Sequence, residues 1–186
     1  TPKGLLLMNG TSGICSPLTL EPHVDGGLPD TAFIMTGAHE LGHIAGICGE
    51  AEATLIGYVA GLRADDPYAR YASALAIYRS LAAQLGRERQ QAAMARLPEE
   101  AREDLRLAAE AGRKYRIDWL QKASWRTYDK YLQSRGIEDG VKNYGRGVTL
   151  FTYAWRKGLV QIEGIPEDTP TEPDDRNELF SSDPVA

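Results

Sequence analysis

Apolar positions along this chain change rhythm three times, and each rhythm predicts a different kind of element. Between residues 5 and 24 they come in short stretches broken by Gly and Pro: Leu5 to Met8, then Ile14, Leu18 and Leu20 with polar residues between. This predicts one or two strands. Pro17 and Pro22 confine the second to a sheet edge, because neither can donate a ladder hydrogen bond. Gly26-Gly27-Leu28-Pro29 reads as a turn. Asp30 or Thr31 can then cap a helix that ends near Gly46, a residue suited to a left-handed C-terminal turn. A second helix is expected from about Gly49, carrying Leu55, Ile56 and Val59 toward the core.

From Pro67 onward the rhythm is helical. Tyr71, Leu75, Tyr78, Ala82 and Leu85 recur at intervals of four and three and form one apolar stripe. Residues 86 to 118 alternate charges, break at Leu97-Pro98 and predict a solvated helical pair. Two aromatic-rich helices follow. One lies near 122 to 134 with Trp125, Tyr128 and Leu132; the other lies near 138 to 157, with Ile137, Val141, Tyr144, Val148, Phe151 and Trp155 in register. After Gly164 the chain turns to Pro, Asp, Glu, Thr and Ser, which bury too little surface to offset ordering. The expected organisation is one folded domain over 1–163 and a disordered acidic, Pro-rich tail over 164–186. No internal repeat is visible.

A length of 186 residues suits a single well-buried core. The net charge of −5 and the interleaving of Lys, Arg, Asp and Glu leave no basic stripe for nucleic acid and no polybasic membrane patch. There is no apolar run long enough to span a bilayer, and the start has neither an initiator Met nor signal-peptide regions, so the chain reads as a soluble portion of something longer. Cys15 and Cys48 are too few for a disulfide framework; two buried free thiols are the default expectation and a single bridge near residue 48 is the alternative.

The chemistry concentrates in His39-Glu40-Leu41-Gly42-His43, with Glu50 seven residues beyond. On a helix the two imidazoles stand at i and i+4 on one face, and Glu40 lies beside them, where a base for a metal-bound water belongs. Hydrolytic zinc sites use three protein ligands and keep a fourth position for water. His39 and His43 supply two. The metzincin pattern would place a third His six residues after His43, but Gly49 stands there. Glu50 and Glu52 follow, and they project about 200° apart on a helix, so one of them can face the metal. In such a site zinc lowers the pKa of its water to about 7, and Glu40 takes the proton as a polarised carbonyl is attacked, then returns it to the leaving amine. Peptide hydrolysis is the natural reading, and an edge strand around Ile14 to Leu20 could hold an extended substrate by strand addition. His23, the third histidine, reads as a surface or strand-edge residue.

Two resemblances sharpen this. In glutamate zincins the ligand Glu opens a second helix and is followed by a small residue three positions on and then by a polar residue bonded to a ligand His. Glu50, Ala53 and Thr54 resemble that arrangement, which favours Glu50, keeps Glu52 in reserve and makes Thr54 a support for His39. More widely, Pro17-Leu18-Thr19 to Leu28-Pro29, Ala38 to His43, Gly49 to Ala53, Tyr128 to Leu132 and Gly140 to Val148 resemble the bacterial family known as domain of unknown function 3810. Thr54 stands where that family's pattern has Asn. The resemblance implies an α+β, predominantly helical, zincin-like metallopeptidase domain with a small sheet and an HExxH active-site helix. It implies Zn2+ held by His39, His43 and Glu50, with Glu40 as general base and a peptide or protein as substrate. It also implies a bacterial protein anchored in a membrane by segments outside this chain, with this domain extracytoplasmic. Tyr144 and Arg146, in the last signature, are the candidates for stabilising the oxyanion; packing is the ordinary role for Tyr144 and an ion pair for Arg146. The competing function is a catalytically silent, metal-stabilised interaction module of a membrane-associated assembly.

Overall fold

The computed structural model describes residues 1–16, 18–134 and 146–161. Tyr144, the span 138–145 and the tail 164–186 lie outside the described residues, as do the side chains of Tyr128, Tyr131 and Leu132. Among the described residues the fold is predominantly helical, with seven helices and one two-stranded sheet.

The Leu5 to Met8 stretch is not a strand. It turns into a single 3-10 turn, Leu7–Asn9, closed by Gly10 at φ 77°. The cause is Asp25, whose fully buried carboxylate accepts from the main-chain N–H groups of Gly4, Leu6, Leu7 and Gly27. Amides gathered onto one side chain are unavailable to a ladder. Strand β1 (Gly13–Cys15) pairs antiparallel with β2 (Pro22–Val24) in the register Gly13 to Val24, Ile14 to His23 and Cys15 to Pro22. Leu18 and Leu20, expected in the second strand, instead sit in the connecting turn, 94% and 65% exposed. Pro22 opens β2 opposite Cys15, where its missing N–H faces away from β1.

Helix α1 (Asp30–Ile44) begins one residue earlier than a cap at Asp30 requires and two earlier than a cap at Thr31 requires. Pro29 is the capping residue, in extended conformation and without a side-chain bond, and Asp30 lies in the first turn, where its charge suits the helix dipole. The far end matches expectation. Gly46 takes φ 92°, Ile47 N–H bonds Gly42 C=O at 3.2 Å and Gly46 N–H bonds His43 C=O at 3.0 Å, the paired bonds of a Schellman ending.

Helix α2 (Glu50–Leu62) buries Ala51, Ala53, Gly57, Tyr58 and Gly61. Leu55 and Val59 pack partly into the core as expected, but Ile56 is exposed. Small residues line the seam because α1 and α2 approach closely. A Cβ on Gly42 would lie 3.4 Å from Ala53, and one on Gly57 would lie 3.2 Å from the His39 main-chain N. This close approach brings the segments carrying His39, His43 and Glu50 together.

Helix α3 (Pro67–Ala82) starts with Pro67 behind Asp66, whose carboxylate caps the Tyr68 N–H at 2.8 Å. Its buried face is Ala72, Ser73, Leu75, Ile77 and Ala82. Tyr71 and Tyr78 lie at the rim of the expected stripe, their hydroxyls donating to Asp104 and to Ala93 C=O, while Leu85 falls beyond the helix and is exposed. Helices α4 (Arg87–Ala95) and α5 (Glu99–Lys114) break at Leu97-Pro98 as predicted, with only Ala101 and Ala111 of the pair buried. Helix α6 (Asp118–Ser134) starts four residues before its expected position, and α7 (Arg146–Arg156) supplies Val148, Phe151 and Ala154 to the core. There they meet Tyr58 of α2 and Ile77 of α3. Phe151 and Tyr58 stack edge to face at 5.8 Å, and the Tyr58 hydroxyl pairs with Ser80 at 2.8 Å. Burying one such ring is worth about 1.5–3 kcal/mol, so the α2–α7 contact is a firm support for the helix that carries Glu50.

Candidate metal centre

His39 and His43 are one turn apart on α1, and the first residue of α2, Glu50, faces them. The distance from His39 Nε2 to Glu50 Oε2 is 3.1 Å, from His43 Nε2 to Glu50 Oε2 3.7 Å and from His43 Nε2 to His39 Nε2 3.2 Å. The rings meet at 89°. Among the described residues this is the one group of His, Cys, Asp and Glu side chains gathered closely enough to hold a metal ion. Glu52 does not join it. It is exposed, and its carboxylate folds back over the Gly49 backbone. His23 is on β2 beside Glu21, well apart from the group. Both cysteines are free, Cys15 half-buried and Cys48 exposed, so neither the bridge nor a pair of buried thiols describes them.

The opposite side of each imidazole explains why these nitrogens converge. His43 Nδ1 lies 2.7 Å from Ile47 C=O, a group that can only accept, so Nδ1 carries a proton and, in the neutral ring, Nε2 keeps its lone pair. The Thr54 hydroxyl donates to Glu50 C=O at 2.8 Å, leaving its oxygen to accept from His39 Nδ1 at 3.2 Å. In the neutral ring His39 also presents its Nε2 lone pair. Two imidazole Nε2 atoms and a carboxylate oxygen then point into one space, a donor set that fits a metal ion. The Thr54 bond had a signal in the sequence, the spacing from Glu50. The Ile47 carbonyl had none, because a main-chain group has no residue identity; its only trace is Gly46, whose left-handed turn swings it back toward His43.

Glu40, 5% exposed, lies between the two histidines in sequence and packs under β1. A Cβ on Gly13 would fall 2.8 Å from Glu40 Oε1 and 2.6 Å from Thr36 Cγ2, so only glycine admits the carboxylate there. Burial pushes Glu40 above the ordinary carboxylate range; His39 and His43 pull it down, the Glu50 charge adds to the rise, and the Cys15 main-chain N–H, which bonds the carboxylate, pulls it down. The ladder orientation explains the last contact. Ser16 N–H bonds Glu21 C=O and Asp25 N–H bonds Ser12 C=O, so the alternate residues Gly13 and Cys15 turn their main-chain groups to the free edge of β1. Gly13 and Cys15 were not foreseen as site residues.

Arg146 is exposed at the first position of α7, next to Gly147, which abuts Thr54. The three clustered side chains keep 19%, 15% and 18% exposure for His39, His43 and Glu50, so solvent reaches the group.

The family model for Protein of unknown function (DUF3810) matches residues 1–152. The chain belongs to the DUF3810 family. No curated protein and no solved structure matches it. The match spans His39, His43 and Glu50, β1 and the start of α7, so the cluster lies within the DUF3810 region of the chain. No helix among the described residues is long and apolar enough to cross a membrane.

Proposed function

We propose that this DUF3810 domain is a zinc-dependent, zincin-like peptidase with His39, His43 and Glu50 as ligands and Glu40 as general base. One observation carries the reading: two imidazole Nε2 atoms and one carboxylate oxygen converge within 3.1–3.7 Å beside a buried glutamate that is not itself in the cluster. Two nitrogens and one oxygen suit zinc, and three protein ligands with solvent access suit a hydrolytic rather than a closed structural site. When bound, zinc supplies a Lewis acid and acidifies water.

The chain's own residues do the rest. Glu40 accepts a proton from the attacking water and delivers it to the departing amine, a role favoured by a carboxyl whose proton affinity is raised by burial. Thr54 and Ile47 each hold one imidazole by its Nδ1, which leaves Nε2 as the nitrogen turned to the ion. An extended peptide could lie along the outer edge of β1, pairing with outward main-chain groups beside the Cys15 N–H that Glu40 already engages.

The test combines zinc content with digestion of a peptide library. The parent should hold about one zinc per chain and cut peptides. Glu40→Gln should keep the zinc and lose about 10²–10⁴-fold in rate, the usual contribution of a general base. A Glu40→Gln protein that cuts as fast as the parent, or a parent that binds no zinc, refutes the proposal.

A further inference from the structure

The first turn of α7 lies directly on the support of a metal ligand. A Cβ placed on Gly147 would fall 2.6 Å from both Cβ and Cγ2 of Thr54 and 3.3 Å from Ala51 C=O. Thr54 is the residue whose hydroxyl bridges Glu50 C=O and His39 Nδ1. Neither side of the contact is free to yield. Val148 and Phe151 anchor α7 at 4% and 2% exposure, and Ala51 and Ala53 anchor α2 at 5% and 0%. A side chain at 147 therefore has to displace Thr54, tilting its hydroxyl away from one of its two partners.

We infer that Gly147 is a positioning residue for the metal centre: its missing side chain lets α7 clamp Thr54 in the orientation that presents His39 Nε2 to the ion. The inference rests on the proposed metal site but not on any catalytic activity. It also assigns α7 a task beyond core packing, since the helix that buries Phe151 also sets the donor geometry about one turn of α2 away.

The test is a zinc-affinity titration against a chromophoric chelator, with urea stability of the zinc-free proteins measured in parallel. Gly147→Ala should weaken zinc binding by about 10–100-fold, the cost typical of disturbing a group that orients a ligand. Thr54→Ala should do the same, and Thr54→Ser, which keeps the hydroxyl, should bind within a few-fold of the parent. The decisive comparison is the double-variant cycle. If Gly147 acts through the Thr54 hydroxyl, adding Gly147→Ala to Thr54→Ala should change zinc affinity by less than about 3-fold. Equal losses in both backgrounds, or a Gly147→Ala protein that is less stable yet binds zinc like the parent, overturn the inference. Should Gly147→Ala not fold, the same substitution in the Thr54→Ser background removes one of the two crowded atoms. That protein must still bind more weakly than Thr54→Ser alone. A parent that binds no zinc overturns the proposed function itself, a different outcome from a parent that binds and a variant that binds equally.

Discussion

Asp25 should be the costliest single polar residue to replace, although it takes no part in the chemistry. Its carboxylate receives Gly4 N–H at 2.7 Å and Gly27 N–H at 2.8 Å on Oδ1, and Leu6 N–H at 2.7 Å and Leu7 N–H at 3.1 Å on Oδ2. Asp25→Asn keeps the shape but offers one acceptor oxygen, and its NH2 group points at two of the four donors. Two amides are then left unpaired in a buried place. At about 1–3 kcal/mol for each, the loss comes to roughly 2–6 kcal/mol, a large share of the roughly 5–15 kcal/mol that holds a domain together. Urea denaturation would show this as a lower midpoint at unchanged slope. A loss under about 1 kcal/mol would mean that the amides find water instead and that the account of the N-terminal turn is wrong.

The pH dependence gives a second reading of the same carboxylate. Burial raises its pKa, but the four amide bonds outweigh burial and hold it below its ordinary value. A carboxyl depressed in the folded state stabilises the fold above its unfolded pKa of about 3.9. That contribution disappears as pH falls through the still lower folded value. The gap between parent and Asp25→Asn should therefore be widest near neutrality and narrow only below about pH 4. A gap that closes between pH 5 and 7 would point to a different titrating group.

Three further outcomes follow from the site. Free zinc at about 100 times its dissociation constant should stabilise the protein by about 2.7 kcal/mol over the chelated form, seen as a raised melting temperature; an unchanged one counts against the cluster as a metal site. Gly46→Ala places a Cβ in the left-handed region, costing about 1–2 kcal/mol, and should weaken zinc binding as well, because the Ile47 carbonyl moves off His43; calorimetry with zinc titration separates the two effects. Gly13→Ala should leave zinc affinity intact while lowering kcat, since the added methyl crowds Glu40 and Thr36 rather than the ligands. Reduced zinc affinity with normal turnover would reverse that assignment.

Side-chain periodicity made much of this site legible. The i, i+4 spacing of His39 and His43 fixes a shared face once α1 is helical, and Gly46 announces where α1 stops. The choice between Glu50 and Glu52 rested on Ala53 and Thr54, and the fold shows why it could. Ala53 is small where it meets Gly42, and Thr54 is polar where it reaches His39, so the residues after Glu50 carry a signature of the position that faces the two imidazoles. The N-terminal turn was misread for the complementary reason. Leu5 to Met8 has a strand's composition, but its amides are claimed by a carboxylate about twenty positions away, and pattern reasoning within a window cannot see that competitor. The stripe on α3 was read with Tyr71 and Tyr78 at its centre because aromatic rings count as apolar. Their hydroxyls draw them to the rim, toward Asp104 and Ala93 C=O, and Ala72, Ser73 and Ile77 fill the interior. Gly13 and Gly147 show the deepest limit. Each matters for what a Cβ would strike, Glu40 in one case and Thr54 in the other, and absent atoms leave no periodicity. The candidate donors are thus written in the residues at 39, 43 and 50, whereas their orientation is held by the Ile47 carbonyl, the Thr54 hydroxyl, Gly46 and Gly147. Replacing those supports should weaken zinc binding while His39, His43 and Glu50 all stay in place.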